Sequence, residues 1–367
     1  MTTTSRPDVA VIGAGVVGLG VAWRAVQRGL RVVVLERAAL GQPDGAASPV
    51  AAGMLAPVSE ADVGERALLD LGLRAAAAWP AFSAELGDDV GYRTCGTLLV
   101  ARGADEAAAL EREQALRESL GLHAERLLPS AARRLEPALA PHVRAALHVA
   151  DDHAADPRRL HAALRTAALA AGVEIHTGAD VTRLAREGTR ATGVVLADGT
   201  TIEAGQVVVA AGAWSGTELG LPQDARVPVR PVKGQILRLR DPDGPGLLDR
   251  VLRFEGGYVV PRGDGRYVLG ATMEERGFDT TVTAGGVYEL LRDAIDLVPG
   301  IDELVIEETA VGFRPGVPDN TPILGRSAQV DGLVWATGHH RNGILLASIT
   351  GDLVADVLTG TAAEVPA

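Results

Sequence analysis

Asp8-Val9-Ala10-Val11-Ile12-Gly13-Ala14-Gly15-Val16-Val17-Gly18 opens a run that continues to Arg31-Val32-Val33-Val34-Leu35-Glu36. The four apolar residues before Gly13 predict a buried parallel strand, the glycines a tight turn, residues 16–27 a helix and Val32–Leu35 the next strand. Gly13 permits the sharp turn, Gly15 removes a side chain where a pyrophosphate must approach, and Gly18 lets helix and strand pack closely. Free N–H groups at the helix start, at the positive end of its dipole, suit phosphates. Glu36, ending the second strand, is placed to accept hydrogen bonds from both ribose hydroxyls, and its charge disfavours a 2′-phosphate. The stretch therefore reads as a βαβ dinucleotide-binding unit. Val9–Trp23 is almost wholly apolar, but it falls short of the roughly 20 residues a membrane span needs, is interrupted by glycines and lacks a basic flank. Neither a span nor a signal peptide is expected.

At 367 residues, with 47% hydrophobic content, the chain predicts two domains. A net charge of −12 without any basic run argues against nucleic acid or an anionic membrane as partner. Lys233 is the one lysine, so an anion clamp has to be an arginine. Cys95 is the one cysteine, which excludes an internal disulfide and a thiolate metal site and fits a reducing cytoplasm; it reads as an inert core thiol.

Beyond Glu36, residues 41–48 and then Pro49–Leu55 are rich in small residues that allow close backbone approach to a flat ligand. Helices are expected near 62–87 and 104–120, with a short strand near 97–101 between them; the prolines of 128–143 suggest a crossing between domains. His148, Asp151, Asp152, His153 and Asp156 could suggest a metal, but they lack helical spacing, and Asp156-Pro157 reads as an N-cap followed by proline at the first helical position. A helix over 158–171, a strand at 173–176 and a hairpin turning at Asp198-Gly199 follow. Gln206–Val209 then forms a second buried strand running into Gly212, where the chain can again pass close to the nucleotide. Between 227 and 269 the texture changes to short alternating strands, at 235–239, 257–260 and 266–269, which predict an antiparallel sheet. A helix near 284–297 and a strand near 304–311 complete it. The strand Leu333–Thr337, the turn at Gly338 and a helix to about Leu358, stopped by Gly360, return to the first domain.

The nucleotide unit, Pro49–Leu55, Gly312-Phe313-Arg314-Pro315 and Gly338-His339-His340-Arg341-Asn342-Gly343-Ile344, in that order, resemble the flavin-dependent D-amino acid oxidase superfamily over residues 8 to 360. Pro231-Val232-Lys233-Gly234-Gln235, Tyr258-Val259-Val260-Pro261-Arg262 and Gly270-Ala271-Thr272-Met273 are similar to motifs of its glycine oxidases of thiamine biosynthesis. The resemblance implies an α/β plus α+β fold: a Rossmann-like FAD-binding domain (1–82, 146–226 and 312–367) interleaved with an antiparallel-sheet substrate domain (83–145 and 227–311). It implies FAD rather than NAD. The adenosine half would meet Val16, Val17, Glu36 and Arg37, with Val181 near the adenine. Ser48, Ala52, Gly53 and Met54 would lie along the cofactor, and His339, His340, Arg341, Asn342, Gly343, Ile344 and Leu345 beside the flavin ring. Substrate contacts carry over to Tyr258, Arg314 and Arg341, with Met273 as a wall. The cysteine that attaches flavin in sarcosine oxidases has no counterpart near 312–315, which implies non-covalent FAD. The loop 41–47 is longer than in glycine oxidases, and Gly256 stands where a bulkier residue occurs, which would widen the pocket beside Tyr258.

Oxidation of an α-amino acid to an imine removes the Cα hydrogen as hydride while the amine is neutral, so it asks for position and field rather than a strong base. Arg314 offers a planar fork for the substrate carboxylate, and the Tyr258 hydroxyl a third contact. N–H groups of Asn342, Gly343 and Ile344 at the last helix start are placed to favour developing negative charge. His339 and His340, being adjacent, point apart and read as packing. The expected activity is oxidation of glycine, sarcosine or a small D-amino acid with O2 as acceptor, in a homo-oligomer as the resemblance implies. The alternatives are a D-amino acid dehydrogenase passing electrons to a quinone, an NAD-dependent reductase and a non-catalytic flavin-binding module.

Overall fold

The computed structural model describes residues 6–38, 45–217 and 219–361. The expected loop 41–47 is thus described only from Gly45 onward. Two sheets dominate. The first has six strands, in spatial order Ile323–Arg326, Leu333–Thr337, Gln206–Val209, Val9–Ile12, Val32–Glu36 and Glu174–Thr177. All its neighbours are parallel except the first pair. Its inner strands are buried on both faces, as their Val-, Ile- and Ala-rich runs predict, while the edge strand Glu174–Thr177 is largely exposed. The helices Val16–Gln27, Pro157–Ala170, Arg66–Leu86 and Gly343–Thr359 cover one face. A three-stranded antiparallel ribbon, Val181–Glu187, Arg190–Leu196 and Thr201–Glu203, closes the other.

The βαβ geometry follows from two glycines. Gly13 has φ +101°, and a Cβ there would lie 2.6 Å from the Ala210 carbonyl oxygen; a Cβ on Gly18 would sit 2.0 Å from the Gly13 oxygen. The turn and the helix–strand packing leave no room for a side chain at either place.

The second sheet has eight strands: Val305–Gly316, Arg230–Arg240, Arg266–Gly270, Gly257–Pro261, Val251–Phe254, Thr97–Ala101, Ala145–Val149 and Glu125–Leu127 in spatial order. It is antiparallel as expected except where Val251–Phe254 runs parallel to Thr97–Ala101. The helix Ala284–Leu297, N-capped by Thr283, packs on it. Two strands exceed their expected length. Arg230–Arg240 carries Lys233 and Gly234 within its ladder, and Val305–Gly316 carries Phe313-Arg314-Pro315, so the motif expected after the sheet is a strand of it. Ala145–Val149 also pairs here; we place the chain's crossovers between sheets after Val149 and after Gly316, a few residues beyond 146 and 312.

Asp156 caps the helix Pro157–Ala170, accepting from Arg158 N and Arg159 N, as its sequence predicts. The proline-rich stretch differs from expectation: Pro129 starts a short helix, Pro129–Leu135, because proline suits a first helical turn. Gly360 ends the last helix in the left-handed region at φ +73°. Among the described residues no helix is long and apolar enough to cross a membrane, and no cluster of His, Cys, Asp and Glu could hold a metal.

Candidate active site

A cleft of about 1580 Å³ runs from the Glu36 end of the first sheet to the face of the second. At the nucleotide end, Gly13, Gly15, Val16 and Val17 form one lip. The Glu36 carboxylate accepts Ala14 N at 2.8 Å and Ala38 N at 3.1 Å. Each of its oxygens keeps a lone pair for a ribose hydroxyl. One amendment to the phosphate reading is needed: Val16 N already donates to Ser48 Oγ (3.2 Å), so Ser48 is part of the lip rather than a neighbour farther along. Val181 and Arg37 lie at the same end. The Arg37 guanidinium stands 3.8 Å over the Trp214 ring. Trp214 in turn stacks on Phe278 at 5.0 Å and meets Phe313 edge-on at 5.9 Å.

Ala52, Gly53, Met54 and Gly212 line the middle. At the far end stand Tyr258, Met273, Arg314, His339, His340, Arg341, Gly343 and Ile344. Arg314 is half-buried and its Nη1 donates to the Thr272 carbonyl at 3.1 Å. Its guanidinium lies flat over Gly234, where a Cβ would come within 2.4 Å of Nη1. The Pro231–Gln235 motif is therefore shaped to carry this arginine. Lys233, wholly buried beside it, donates to Asp279 at 2.8 Å and lies 3.7 Å from Glu274. That lysine holds the Asp279 carboxyl well below its usual range. Glu274 also accepts from Thr272 Oγ1 (2.6 Å) and Gln235 Nε2 (2.7 Å), so residues 272–279, which supply Arg314's carbonyl partner, are pinned to the sheet.

Burial pushes the Tyr258 phenol up, the nearby Arg314 cation pulls it down and Glu60 pushes it up. His339 is 3% exposed and contacts Thr350 Oγ1 through Nε2 at 3.1 Å. Burial lowers its pKa to about 4. His340 is also lowered to about 4, by burial and then by the Arg341 and Arg314 cations. Both histidines line the cleft, and the buried Nδ1 of His340 has no hydrogen-bond partner among the described residues. Cys95 lies outside the cleft, its thiol pushed up by burial, as an inert thiol should be.

Four expected residues do not line the cleft. Gly18 serves packing, as its contact with the Gly13 carbonyl shows. Gly338, at φ +77°, turns the chain from strand to cleft. Asn342 is the N-cap position of the last helix, its carbonyl accepting Leu346 N at 2.8 Å. Leu345 packs in the core and its carbonyl accepts Trp79 Nε1 at 2.8 Å. Met273 lies at the mouth, 60% exposed, rather than as an enclosed wall. Residues that sequence reasoning missed include His161, whose Nε2 meets Ala14 O at 2.8 Å, together with Trp214, Arg253 and Glu60. Asp152, considered above only as a metal ligand, instead accepts Val58 N (3.1 Å) and Ser59 N (2.7 Å) next to Glu60.

The residues present fit a flavin dinucleotide. The cleft joins a ribose acceptor and glycine-rich helix start to a pocket carrying an arginine fork and an unpartnered buried imidazole nitrogen. Fold and cleft together define a dinucleotide-dependent redox enzyme whose cleft lies between the two large sheets. The chain matches the family "DAO: FAD dependent oxidoreductase" over residues 8–357 and belongs to it. It is an FAD-dependent oxidoreductase acting on the CH–NH2 group. It is 36% identical over 361 residues to the glycine oxidase of Geobacillus kaustophilus, covering 97% of this chain and 93% of that one. It is 37% identical over 357 residues to the bifunctional protein ThiO/ThiG of Trichormus variabilis, of which it spans about half, 52%. The solved glycine oxidase from Geobacillus kaustophilus superposes with a TM-score of 0.88 at 35% identity, covering 97% of this chain and 95% of that one. Iminodiacetate oxidase from Chelativorans sp. BNC1 superposes with a TM-score of 0.87 at 32% identity, covering 98% and 97%.

Proposed function

We propose that the chain oxidises glycine or a small D-amino acid, sarcosine included, with dioxygen as acceptor. For glycine the balance is glycine + O2 + H2O → glyoxylate + NH3 + H2O2. The observation that carries this reading is Arg314: a strand-borne guanidinium with one nitrogen tied to Thr272 O, standing in the cleft beside Tyr258. Tying Nη1 fixes the plane of the fork and leaves its other edge for a carboxylate. The Tyr258 hydroxyl, kept protonated by burial, donates to the same carboxylate. Bound FAD supplies the acceptor for the hydride leaving Cα. The lip of Gly13–Val17, Glu36 and Ser48 at one end and His339, His340, Arg341, Gly343 and Ile344 at the other would hold it.

His339 and His340, lowered to about 4, are neutral at pH 7 and add no positive charge that would repel an ammonium group. Loss of the ammonium proton to solvent then sets the reactive form, and the protein's part is orientation. The ThiO/ThiG relatives support a role in thiamine biosynthesis, where the imine of glycine would be the useful product. The test is anaerobic bleaching of the yellow holoenzyme by glycine, sarcosine, D-alanine and D-proline, followed by air. Bleaching, then recovery with stoichiometric peroxide, is expected. Bleaching without recovery in air would leave amine oxidation standing and transfer the electrons to another acceptor; no bleaching by any amine would overturn the reading.

A further inference from the structure

On the second sheet, Arg253 and Tyr258 are direct cross-strand partners, so both side chains leave the same face next to each other. Both line the cleft, and Arg314 lies on the other side of Tyr258. The pocket thus holds a second arginine. It is covered: Glu60 Oε1 lies 3.8 Å from Arg253 Nη2, with the two side chains 12% and 23% exposed, while Arg253 Nη1 donates to Ser59 O. Glu60 itself is set in place by an unusual degree of clamping. Val58 and Ser59, just before it, have both N–H groups accepted by Asp152 and both carbonyls held by Arg117, at 3.0 and 2.6 Å. Asp152 and Arg117 are 0% and 1% exposed. Two buried charges thus bracket one dipeptide, and its next residue presents a carboxylate to the cleft.

We propose that Arg253 is a second carboxylate site held closed by Glu60, so that the cleft takes monocarboxylic amines and excludes those carrying a second carboxylate. This rests on the amine-oxidation reading of the same cleft. A zwitterion held at Arg314 and Tyr258 directs its remaining substituent along the Tyr258–Arg253 row. A neutral substituent meets a neutralised ion pair there at little cost. A carboxylate meets the same neutralised pair, whose guanidinium is already occupied by Glu60 and Ser59 O, so it gains no net attraction in return for the water it gives up. Removing only the charge of Glu60 leaves a guanidinium facing the same space, and the preference inverts.

The experiment compares sarcosine with iminodiacetate, the same amine bearing one or two carboxylates, using wild-type, Glu60→Gln and Glu60→Gln/Arg253→Met holoenzymes. Wild type is expected to prefer sarcosine in kcat/KM of flavin reduction; a preference for iminodiacetate would overturn the proposal without any variant. In E60Q the iminodiacetate-to-sarcosine ratio should rise at least tenfold, and the double variant should cancel the rise. A ratio unchanged within twofold in E60Q, or a gain that survives loss of Arg253, overturns it. Titration of the flavin absorption band with malonate and acetate, which are not oxidised, gives a parallel readout. Malonate should tighten at least tenfold relative to acetate in E60Q, and no relative tightening overturns the gate. Should no amine reduce the wild-type flavin, the oxidase reading fails, and the malonate titration still decides the gate.

Discussion

Replacing Arg314 by methionine removes the fork while keeping a stem of similar length. On the protein's side the loss is small. Nη1 gives one clear hydrogen bond, 3.1 Å to Thr272 O, with Lys233 O at a longer 3.5 Å. Both partners are neutral, and Thr272 is half-buried on the cleft wall, where water can replace the donor. Stability should therefore fall by no more than about 1 kcal/mol, the net worth of an ordinary hydrogen bond. On the substrate's side the loss is large. Two hydrogen bonds to a carboxylate, each charge-assisted and worth about 1.5–3 kcal/mol, disappear together. Taking the lower half of that range because the pocket is open to solvent gives roughly 3–4 kcal/mol, or about 150- to 800-fold in kcat/KM. The assay is anaerobic stopped-flow reduction by glycine, with the apparent Kd and limiting rate resolved separately, beside a melting curve. Most of the loss should appear in the apparent Kd. A change under tenfold with an unaltered melting temperature would remove Arg314 from substrate binding and refute the reasoning.

Gly13→Ala places a methyl 2.6 Å from the Ala210 oxygen at a φ of +101°, so the turn must open; the purified variant should lose most of its yellow colour while far-ultraviolet circular dichroism stays native-like. Lys233→Met should lower stability only modestly, because the cation was costly to bury and Asp279, with a side chain 30% exposed, can rehydrate; freeing residues 272–279 should nonetheless raise KM for glycine at least fivefold, and an unchanged KM would show that the lysine does not support Arg314. The pH dependence follows from His339. Its folded pKa of about 4 lies below the usual 6.5, so its contribution is fully present above pH 6.5 and falls as pH drops toward 4, by about 2 kcal/mol between pH 7 and 5. Asp152, pushed by burial up to about 6, works in the opposite sense, recovering stability as pH falls below 6. His339→Asn should therefore gain stability from pH 7 to 5 relative to wild type in urea melts, and a parallel pH slope for the two proteins would refute the assignment.

The nucleotide half was legible because its signals are local. Strand, glycine turn, helix and terminal acid occupy one continuous stretch, and each residue's burden is steric or electrostatic at short range. The same holds for Asp156-Pro157 and for the left-handed Gly360. The substrate end was legible only through resemblance. Arg314 carries no local mark of function; what qualifies it is the bare backbone of Gly234 beneath it, 80 residues away in sequence, and the carbonyl of Thr272. Glu60 and Arg253 were not found at all, since neither sits in a distinctive motif and their meeting depends on sheet register. Asp152 was read with its sequence neighbours, whereas its partners lie 93 and 94 positions earlier, at Ser59 and Val58. The short helix at Pro129 was missed because proline reads equally as a breaker and as a first-turn residue.

The placement of buried charge argues that this fold spends stability on geometry at the cleft. Replacing a buried ion pair with apolar side chains is often neutral or stabilising, so such pairs are weak evidence of a stabilising role. Of the deeply buried charges, Arg117, Asp152 and Lys233 act next to the cleft, whereas Glu136 accepts Asp249 N and Arg250 N away from it. Arg117 and Asp152 grip main-chain groups of residues 58–59, and Lys233 grips the acids of 272–279. Glu60, which follows residues 58–59, lines the cleft, as do Thr272, Met273, Glu274 and Arg276 of the second segment; beyond the apolar packing of Val58, both segments are held by polar contacts, including the Lys233–Glu274 bridge to the sheet. A hydrophobic contact is non-directional and would let such a wall slide, whereas a carboxylate taking two successive N–H groups, or an ammonium between two acids, admits one arrangement. The polar clamps are thus what hold Glu60 and the Arg314 support in register with the two strands that carry Arg253 and Tyr258.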